Sequence, residues 1–169
     1  MNMNTFLDFY KVVHSRIEKN IDSWSVAWTG SRNQIIQDGC DRLLRMNRGG
    51  KRLRGTLVYL GYCIMCDNGL AEADALAECF ELFQTAILIH DDIIDHAGSR
   101  RGMETIHAAY FREFMERQYV SQDNANAALE AGSSIALCLG DMGLYLAEER
   151  LVNGYSKSPL LAPLLSYYH

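Results

Sequence analysis

The sequence predicts an all-α protein. Apolar residues recur at helical spacing along most of the 169 residues, and nowhere do they alternate with polar residues as they would in a strand. The chain contains only two prolines, both near its C-terminus, which leaves long stretches free of helix breakers. Hydrophobic residues make up 49% of the chain and charged residues 22%, so we expect a folded core rather than disorder. The length suits a single domain.

Helical periodicity divides the chain into a series of predicted helices. Their bounds are residues 5–21, 31–46, 56–66, 71–96, 103–117, 127–153 and 158–169. Residues 24–30 are expected to interrupt the helical structure, and Ser31 is expected to cap the second helix. The first helix is amphipathic and could pack either on the core or on a partner subunit. Glu18 falls on its outer face, and His14 is interpreted as a surface residue rather than a ligand.

Three aspartates follow an apolar run near the end of the helix predicted over 71–96. Asp91 and Asp95 are four residues apart and share a helical face, whereas Asp92 lies about 100° round the helix. Carboxylates in apolar surroundings require a partner, and no Lys or Arg occurs over residues 81–95. The aspartates could simply decorate the helix C-terminus, but the helix dipole disfavours anions there. A Mg²⁺ site on Asp91 and Asp95, supported by Asp92, accounts for them better.

Two basic segments complement the aspartates. Arg100 and Arg101 follow a short loop after the aspartates and are suited to bidentate phosphate binding. In the segment 48–54, paired glycines precede Lys51 and Arg54, which share one face at the start of a helix. Cations are unfavourable at that end of the helix dipole, so a bound diphosphate would explain them. A solvated basic turn is the alternative interpretation.

A single stripe runs along the helix that carries the aspartates. It consists of Phe80, Gln84, Ile87, Asp91 and Asp95. The amide of Gln84 is the unusual member, because the stripe is otherwise apolar below it and acidic above it. Gln84 either forms a hydrogen bond with a neighbouring helix or takes part in a binding site.

The order and spacing of three segments resemble the trans-isoprenyl diphosphate synthases. These polyprenyl synthetases include farnesyl and geranylgeranyl diphosphate synthases. The matching segments are Gly49–Arg54, Asp91–Asp95 and Arg100–Gly102. The resemblance implies an antiparallel helical bundle of the isoprenoid synthase type. It covers the N-terminal half of such a protein, since a second aspartate-rich motif and the downstream lysines are not found. Residues 1–169 are therefore expected to form the N-terminal part of a single, truncated synthase domain.

The resemblance also implies a reaction. When complete, the protein would be a Mg²⁺-dependent transferase that condenses an allylic diphosphate with isopentenyl diphosphate, and it would form a homodimer. Asp91 and Asp95 would bind Mg²⁺, Asp92 would support them, and Arg100 would contact the allylic diphosphate. The residues implied to hold isopentenyl diphosphate are Lys51, Arg54, Gln84 and Arg101. The chain alone is expected to be inactive or nearly so, because half of the metal ligands implied by the resemblance are absent.

The product of such an enzyme would extend beside the helix that carries the aspartates. Ile87 lies roughly 6 Å below Asp91, Phe83 roughly 12 Å and Phe80 roughly 16 Å, at about 1.5 Å per residue. An aliphatic residue at position 87 should not stop the chain early, so geranylgeranyl diphosphate is the predicted product. Phe80 and Phe83 are predicted to limit its length, although both rings could instead pack in the core.

Three departures from the family pattern are local. Met103 and Glu104 replace a common lysine and proline, and Gly55 replaces a common proline. None of these positions is implied to ligate metal or phosphate.

Composition argues against several other classes. The net charge of −5 disfavours a nucleic-acid-binding surface. The five cysteines are scattered, which suits a reduced, cytoplasmic protein, and Cys63 and Cys66 are interpreted as buried structural residues. No signal peptide or membrane span is predicted. Two alternatives stay open: a non-catalytic subunit of a prenyl synthase, and a class I terpene cyclase, which needs no second diphosphate site.

Overall fold

The computed structural model describes residues 6–29, 33–66, 69–119, 121 and 124–168, and over these residues the protein is all-α, as predicted. A short 3₁₀ turn at Leu70–Ala73 precedes the fourth helix. The helices are α1 Phe6–Thr29, α2 Gln34–Asn47, α3 Leu53–Met65, α4 Asp74–Ile94, α5 Ile106–Glu116, α6 Ala125–Tyr155 and α7 Leu161–Tyr168. None of these helices is both long enough and apolar enough to span a bilayer.

Helix α4 forms the centre of the fold. It packs most extensively along α6 and also contacts α1, α2, α3 and α5. Leu82 and Ala86 on α4 are fully buried, and a Cβ atom placed on Gly143 of α6 would lie 3.0 Å from that of Ala86. The absence of a side chain at position 143 therefore allows α4 and α6 to approach closely. Burying the apolar run of α4 fixes the direction in which the aspartates at its end project.

A second, smaller core joins α1 to α3 and α4. On α1 it uses Phe9, Val13, Ile17 and Ile21, which recur at helical spacing and are almost completely buried. The predicted amphipathic helix is therefore present, and this face of it packs on the core of the same chain.

Several helix ends differ from the prediction. Helix α1 continues to Thr29, so the break expected over 24–30 is wrong through residue 29. Ser31 lies outside the described residues; the observed cap of α2 is Asn33, whose side chain accepts a hydrogen bond from the Ile35 N–H at 2.9 Å. Helix α4 ends at Ile94, two residues early, because His96 adopts a left-handed conformation with φ 51°.

Two further predictions are wrong. A two-stranded antiparallel ribbon pairs Ser99–Arg100 with Met103–Glu104, although no strand was predicted. Strands of two residues are too short to produce an alternating pattern. Positive φ angles at Arg101 and Gly102 form the tight turn between them. Cys63, interpreted as buried, is exposed, because the outer face of α3 is itself apolar.

Candidate active site: an acidic corner and a basic pocket

The acidic corner consists of Asp91, Asp92, Asp95 and Arg100. Asp91 has a half-exposed side chain, Asp92 is 2% exposed, and Asp95 is exposed at the end of α4. Arg100 donates from Nε to Oδ1 of Asp92 at 2.6 Å and from Nη2 to Oδ2 of Asp91 at 3.0 Å. The prediction that the aspartates lack a local cationic partner is therefore wrong for two of the three.

The ribbon brings Arg100 back to the aspartates. The Ala97 N–H donates to the Asp92 carbonyl at 2.9 Å, and Thr105 donates from its hydroxyl to the Ala97 carbonyl at 2.7 Å. These bonds fold the connection after α4 against the end of the helix. An arginine eight residues beyond Asp92 in sequence is thus adjacent to it in space, which helical spacing alone could not show.

Burial dominates the electrostatics of Asp92. Desolvation raises the pKa of Asp92, and the hydrogen bond from Arg100 opposes that shift. Its Oδ2 atom is buried and has no hydrogen-bond partner among the described residues. His107 on α5 is also buried, and its Nδ1 atom likewise has no partner in the described part of the chain. Burial lowers the pKa of His107, and the charge of Asp92 partly opposes that shift. Sequence reasoning missed His107, which carried no spacing signal that linked it to the aspartates.

The exposed carboxylates of the acidic corner fit a hard cation. Over the described residues, no group of three or more His, Cys, Asp or Glu side chains is arranged as a closed metal site. Asp91 and Asp95 offer carboxylate oxygens to solvent from one end of α4. Mg²⁺ commonly binds through one or two carboxylates and completes its octahedron with water and substrate phosphates. The donor set therefore fits Mg²⁺ shared with a phosphate ligand.

The basic pocket is a cavity of about 210 Å³ between the segment before α3 and the middle of α4. All four residues predicted to hold isopentenyl diphosphate line it. They are Lys51, Arg54, Gln84 and Arg101. Lys51, Arg54 and Arg101 are exposed, and no carboxylate of the described residues forms an ion pair with them. A Cβ atom placed on Gly50 would lie 3.3 Å from Nη1 of Arg101, so the glycine leaves room for that guanidinium.

A buried network that the sequence did not predict lies beneath the basic pocket. The Arg52 side chain is 1% exposed and donates to Oε1 of Glu18 at 2.6 Å and to Oδ1 of Asn47 at 2.8 Å. Glu81 lies 3.6 Å from Arg52 and accepts from the Gly55 N–H at 2.8 Å. These contacts offset a left-handed backbone at Arg52, φ 48°, which is unfavourable for a non-glycine residue.

Two interpretations of α1 are corrected by this network. Glu18, assigned to the outer face, pairs with the buried Arg52. His14, interpreted as a surface residue, is half-buried with Nε2 3.2 Å from the Gly50 carbonyl oxygen. One helix can present an apolar face to the core and a polar face to a loop of the same chain. Sequence periodicity cannot distinguish such a loop from solvent.

The three residues predicted to bear on product length lie in different surroundings: Ile87, expected not to stop the chain, and Phe80 and Phe83, expected to limit it. Phe80 is 42% exposed and Ile87 is 41% exposed, so neither is a buried floor within the described residues. Phe83 packs edge-on against Tyr168 of α7, with ring centroids 5.6 Å apart, and lines a cavity of about 590 Å³ beside α6. Phe83 thus borders a cavity, whereas Phe80 lies at the surface of the described part of the chain.

The structure thus combines a helical fold with an acidic corner and a basic pocket, which are linked through the consecutive residues Arg100 and Arg101. The sequence model of the family described as polyprenyl synthetase matches residues 34–149. This chain belongs to the polyprenyl synthetase family, the trans-isoprenyl diphosphate synthases.

Individual relatives are similar over shorter segments. Solanesyl-diphosphate synthase 2, chloroplastic, of Oryza sativa subsp. japonica is 42% identical over 86 residues, which are 48% of this chain and 21% of that protein. An all-trans-nonaprenyl-diphosphate synthase (geranyl-diphosphate specific) of Rhodobacter capsulatus is 39% identical over 62 residues, which are 37% of this chain and 19% of that protein.

A solved structure is similar over most of the chain. It is a geranylgeranyl pyrophosphate synthase from Corynebacterium glutamicum complexed with isoprenyl diphosphate and magnesium. The TM-score is 0.70 at 27% identity, and the alignment covers 91% of this chain and 43% of that one. This chain thus spans less than half the length of the relatives it matches.

Proposed function

We propose that this chain supplies the N-terminal part of a single synthase domain that condenses an allylic diphosphate with isopentenyl diphosphate. The observation that carries the proposal is the grouping of Lys51, Arg54, Gln84 and Arg101 in one pocket beside the acidic corner. Arg100 and Arg101 are consecutive, yet one pairs with the aspartates and the other lines the pocket. Two diphosphate groups could therefore bind side by side.

In the proposed reaction the chain's own residues bind, orient and shield. Lys51, Arg54 and Arg101 hold the diphosphate of isopentenyl diphosphate through charge-assisted hydrogen bonds, with Gln84 as an additional contact. Asp91 and Asp95 hold Mg²⁺, which when bound supplies positive charge to the departing diphosphate of the allylic substrate. Arg100, held by Asp91 and Asp92, adds a fixed cation next to the same group. The apolar side chain of Ile87, one helical turn before Asp91 and 41% exposed in this chain, would lie against the prenyl chain of the allylic substrate and shield it on that side.

For the product, we propose geranylgeranyl diphosphate or a longer chain. The predicted geranylgeranyl product matches the name of the structural relative, whereas the rice and Rhodobacter relatives are named for longer products. The exposed position of Phe80 supports the longer alternative, since an exposed ring does not close a tunnel within the described residues. A homodimer and a cytoplasmic location stay predictions.

The test is binding of inorganic diphosphate to the purified chain by calorimetry, first in EDTA and then with Mg²⁺. We expect Lys51→Ala and Arg54→Ala each to weaken metal-free binding about tenfold, the size of one charge-assisted hydrogen bond. Asp91→Ala should spare metal-free binding and remove most of the gain from Mg²⁺. Arg45→Ala is the control, because Arg45 is exposed, pairs with no carboxylate of the described residues and lies outside the basic pocket. Equal affinities for all the variants would refute the proposal.

Turnover provides the second test. The purified 169-residue chain should consume no isopentenyl diphosphate, and a chain completed with the C-terminal half of a relative should consume it. A non-catalytic subunit would stay inactive in both forms, and a terpene cyclase would convert an allylic diphosphate without isopentenyl diphosphate. The basic pocket argues against the cyclase, which needs no second diphosphate site.

A further inference from the structure

Helix α1 contacts the segment 48–52 through side chains at every fourth position. We call Tyr10, His14, Glu18 and Asp22 the α1 stripe. Tyr10 donates from its hydroxyl to the Lys51 carbonyl at 2.8 Å, and His14 Nε2 lies 3.2 Å from the Gly50 carbonyl oxygen.

The other half of the α1 stripe contacts arginine side chains. Glu18 accepts from Arg52 Nε at 2.6 Å, and Asp22 accepts from Arg48 Nη2 at 3.0 Å. One ridge of α1 therefore contacts four of the five residues from 48 to 52.

We propose that the α1 stripe positions the diphosphate-binding segment, so that Tyr10, His14 and Glu18 are positioning residues for Lys51 and Arg54. The inference rests on the proposed function of the basic pocket. It goes beyond the family match, because that match begins at residue 34 and α1 ends at Thr29.

The contacts fix the backbone and leave the binding side chains free. At Lys51 and Gly50 the α1 stripe contacts carbonyl oxygens, and the exposed Lys51 side chain is left to line the pocket. A ligand site whose backbone is already ordered loses less entropy on binding, and the affinity rises accordingly.

Glu18 is the central member of the α1 stripe. Its partner Arg52 is buried and also bonds Asn47, and Asn47 donates to Thr85 Oγ1 of α4 at 2.8 Å. Arg52 and Thr85 both line the basic pocket. The chain of contacts thus runs from α1 through Arg52 to the wall of the pocket on α4.

The α1 stripe is not what attaches α1 to the protein. The neighbouring face of α1, about 100° round the helix, is buried in the core through Phe9, Val13, Ile17 and Ile21. Arg16 also forms a two-point ion pair with Asp74 of α4, with both bonds at 2.6 Å. The attachment of α1 can therefore be weakened without touching the α1 stripe, which provides a matched control.

The experiment measures the dissociation constant of inorganic diphosphate in EDTA, together with the melting temperature, for the full chain and its variants. We expect Glu18→Ala to weaken binding about tenfold and Tyr10→Phe about threefold, in line with loss of a charged and of a neutral hydrogen bond. Glu18→Gln retains an acceptor for Arg52 and should restore most of the affinity. Arg16→Gln should lower the melting temperature and leave the affinity unchanged.

The outcomes separate this inference from the proposed function. If the wild-type chain binds no diphosphate, the basic pocket is not the proposed site, and the inference falls with it. If Lys51→Ala weakens binding but Glu18→Ala and Tyr10→Phe do not, the pocket stands and the positioning role is wrong. The role is equally wrong if Arg16→Gln weakens binding as much as Glu18→Ala, since α1 then acts only through stability. If Glu18→Ala does not fold, Tyr10→Phe decides, because that change removes only a hydroxyl whose hydrogen bond is exposed and keeps the ring that contacts His14.

Discussion

The acidic corner and the basic pocket arrange their charges in opposite ways. In the acidic corner Arg100 already pairs with Asp91 and Asp92, and Asp95 is left to solvent. In the basic pocket the ligand-facing cations pair with no carboxylate of the described residues, and the paired cation, Arg52, is buried beneath them. In the acidic corner the charges are thus neutralised among the aspartates and Arg100 themselves, whereas in the basic pocket the neutralised charge lies beneath the exposed cations.

The difference has a physical reason. Asp92 is buried at the end of an apolar helix, where an uncompensated carboxylate is costly, so its partner must be in direct contact. Lys51 and Arg54 extend into water and can stay charged without a partner. The basic pocket requires instead that the backbone of its residues be held in place. The buried hydrogen bonds of Arg52 with Asn47 and of the Gly55 N–H with Glu81 hold it. We therefore expect substitutions at the acidic corner to affect stability most, and substitutions of pocket side chains to affect binding most.

The largest expected effect is that of Arg100→Ala. The change leaves Asp92 buried without its cation and should lower the free energy of unfolding by about 3 kcal/mol, the low end for a broken buried pair. Arg101→Ala, one residue along, should change it by no more than about 0.5 kcal/mol. Urea denaturation followed by circular dichroism measures both. Similar losses of stability for the two arginines would contradict the claim that Arg100 is a structural ion-pair partner and Arg101 is not.

The next largest effect on stability is expected at Gly55, which lies beneath the basic pocket. A Cβ atom on Gly55 would lie 2.6 Å from Cδ1 of the buried Ile17, so Gly55→Ala should destabilise the protein by about 1–3 kcal/mol. Gly55→Pro should be more destabilising, because it also removes the N–H that Glu81 accepts. Gly61→Ala in the same helix is the control, since nothing lies within 4 Å of its added Cβ. Thermal melts that rank Gly55→Ala with Gly61→Ala would contradict the close packing described.

The acidic corner should also respond to pH through His107. Burial lowers the pKa of His107 below the ordinary histidine value, and Asp92 only partly opposes that shift. A histidine whose folded pKa is lowered stabilises the fold fully above about pH 6.5 and loses that contribution as the pH falls below it. Chemical denaturation between about pH 7.5 and 5.5 should show falling stability, and His107→Gln should flatten the slope. An unchanged slope in the variant would assign the pH dependence to other groups.

The smallest effect is expected at Asp95. Its carboxylate lies at the C-terminal end of α4, where the helix dipole is negative, and no ion pair reaches it from the described part of the chain. Asp95→Asn should raise the free energy of unfolding by about 0.3–0.5 kcal/mol and weaken Mg²⁺-dependent diphosphate binding. A destabilised variant would indicate that Asp95 has a structural partner. All three aspartates of the acidic corner would then be paired.

Much of the fold could be predicted because it depends on local periodicity. The helices follow the spacing of apolar residues. Asp91 and Asp92 lie in the last turn of α4, and Arg54 lies in the first turn of α3, close to the ends that the sequence predicted. The errors lie where the local signal is weak: Asn33 caps α2 two residues after the expected cap, and the ribbon at Ser99–Glu104 is too short to alternate. The exposed Cys63 was misjudged because an apolar helix need not be buried on every side.

The sequence by itself predicted which residues carry the chemistry. Spacing along one helix indicated the aspartates at the end of α4, and the resemblance to the synthases implied the set of Lys51, Arg54, Gln84 and Arg101. Only the tertiary structure decided how each charge is used. The pairing of Arg100 with Asp92 and of Arg52 with Glu18 depends on segments distant in sequence, and burial decides whether a charge needs a partner. Neither quantity is a property of local sequence, because both arise only when the helices pack.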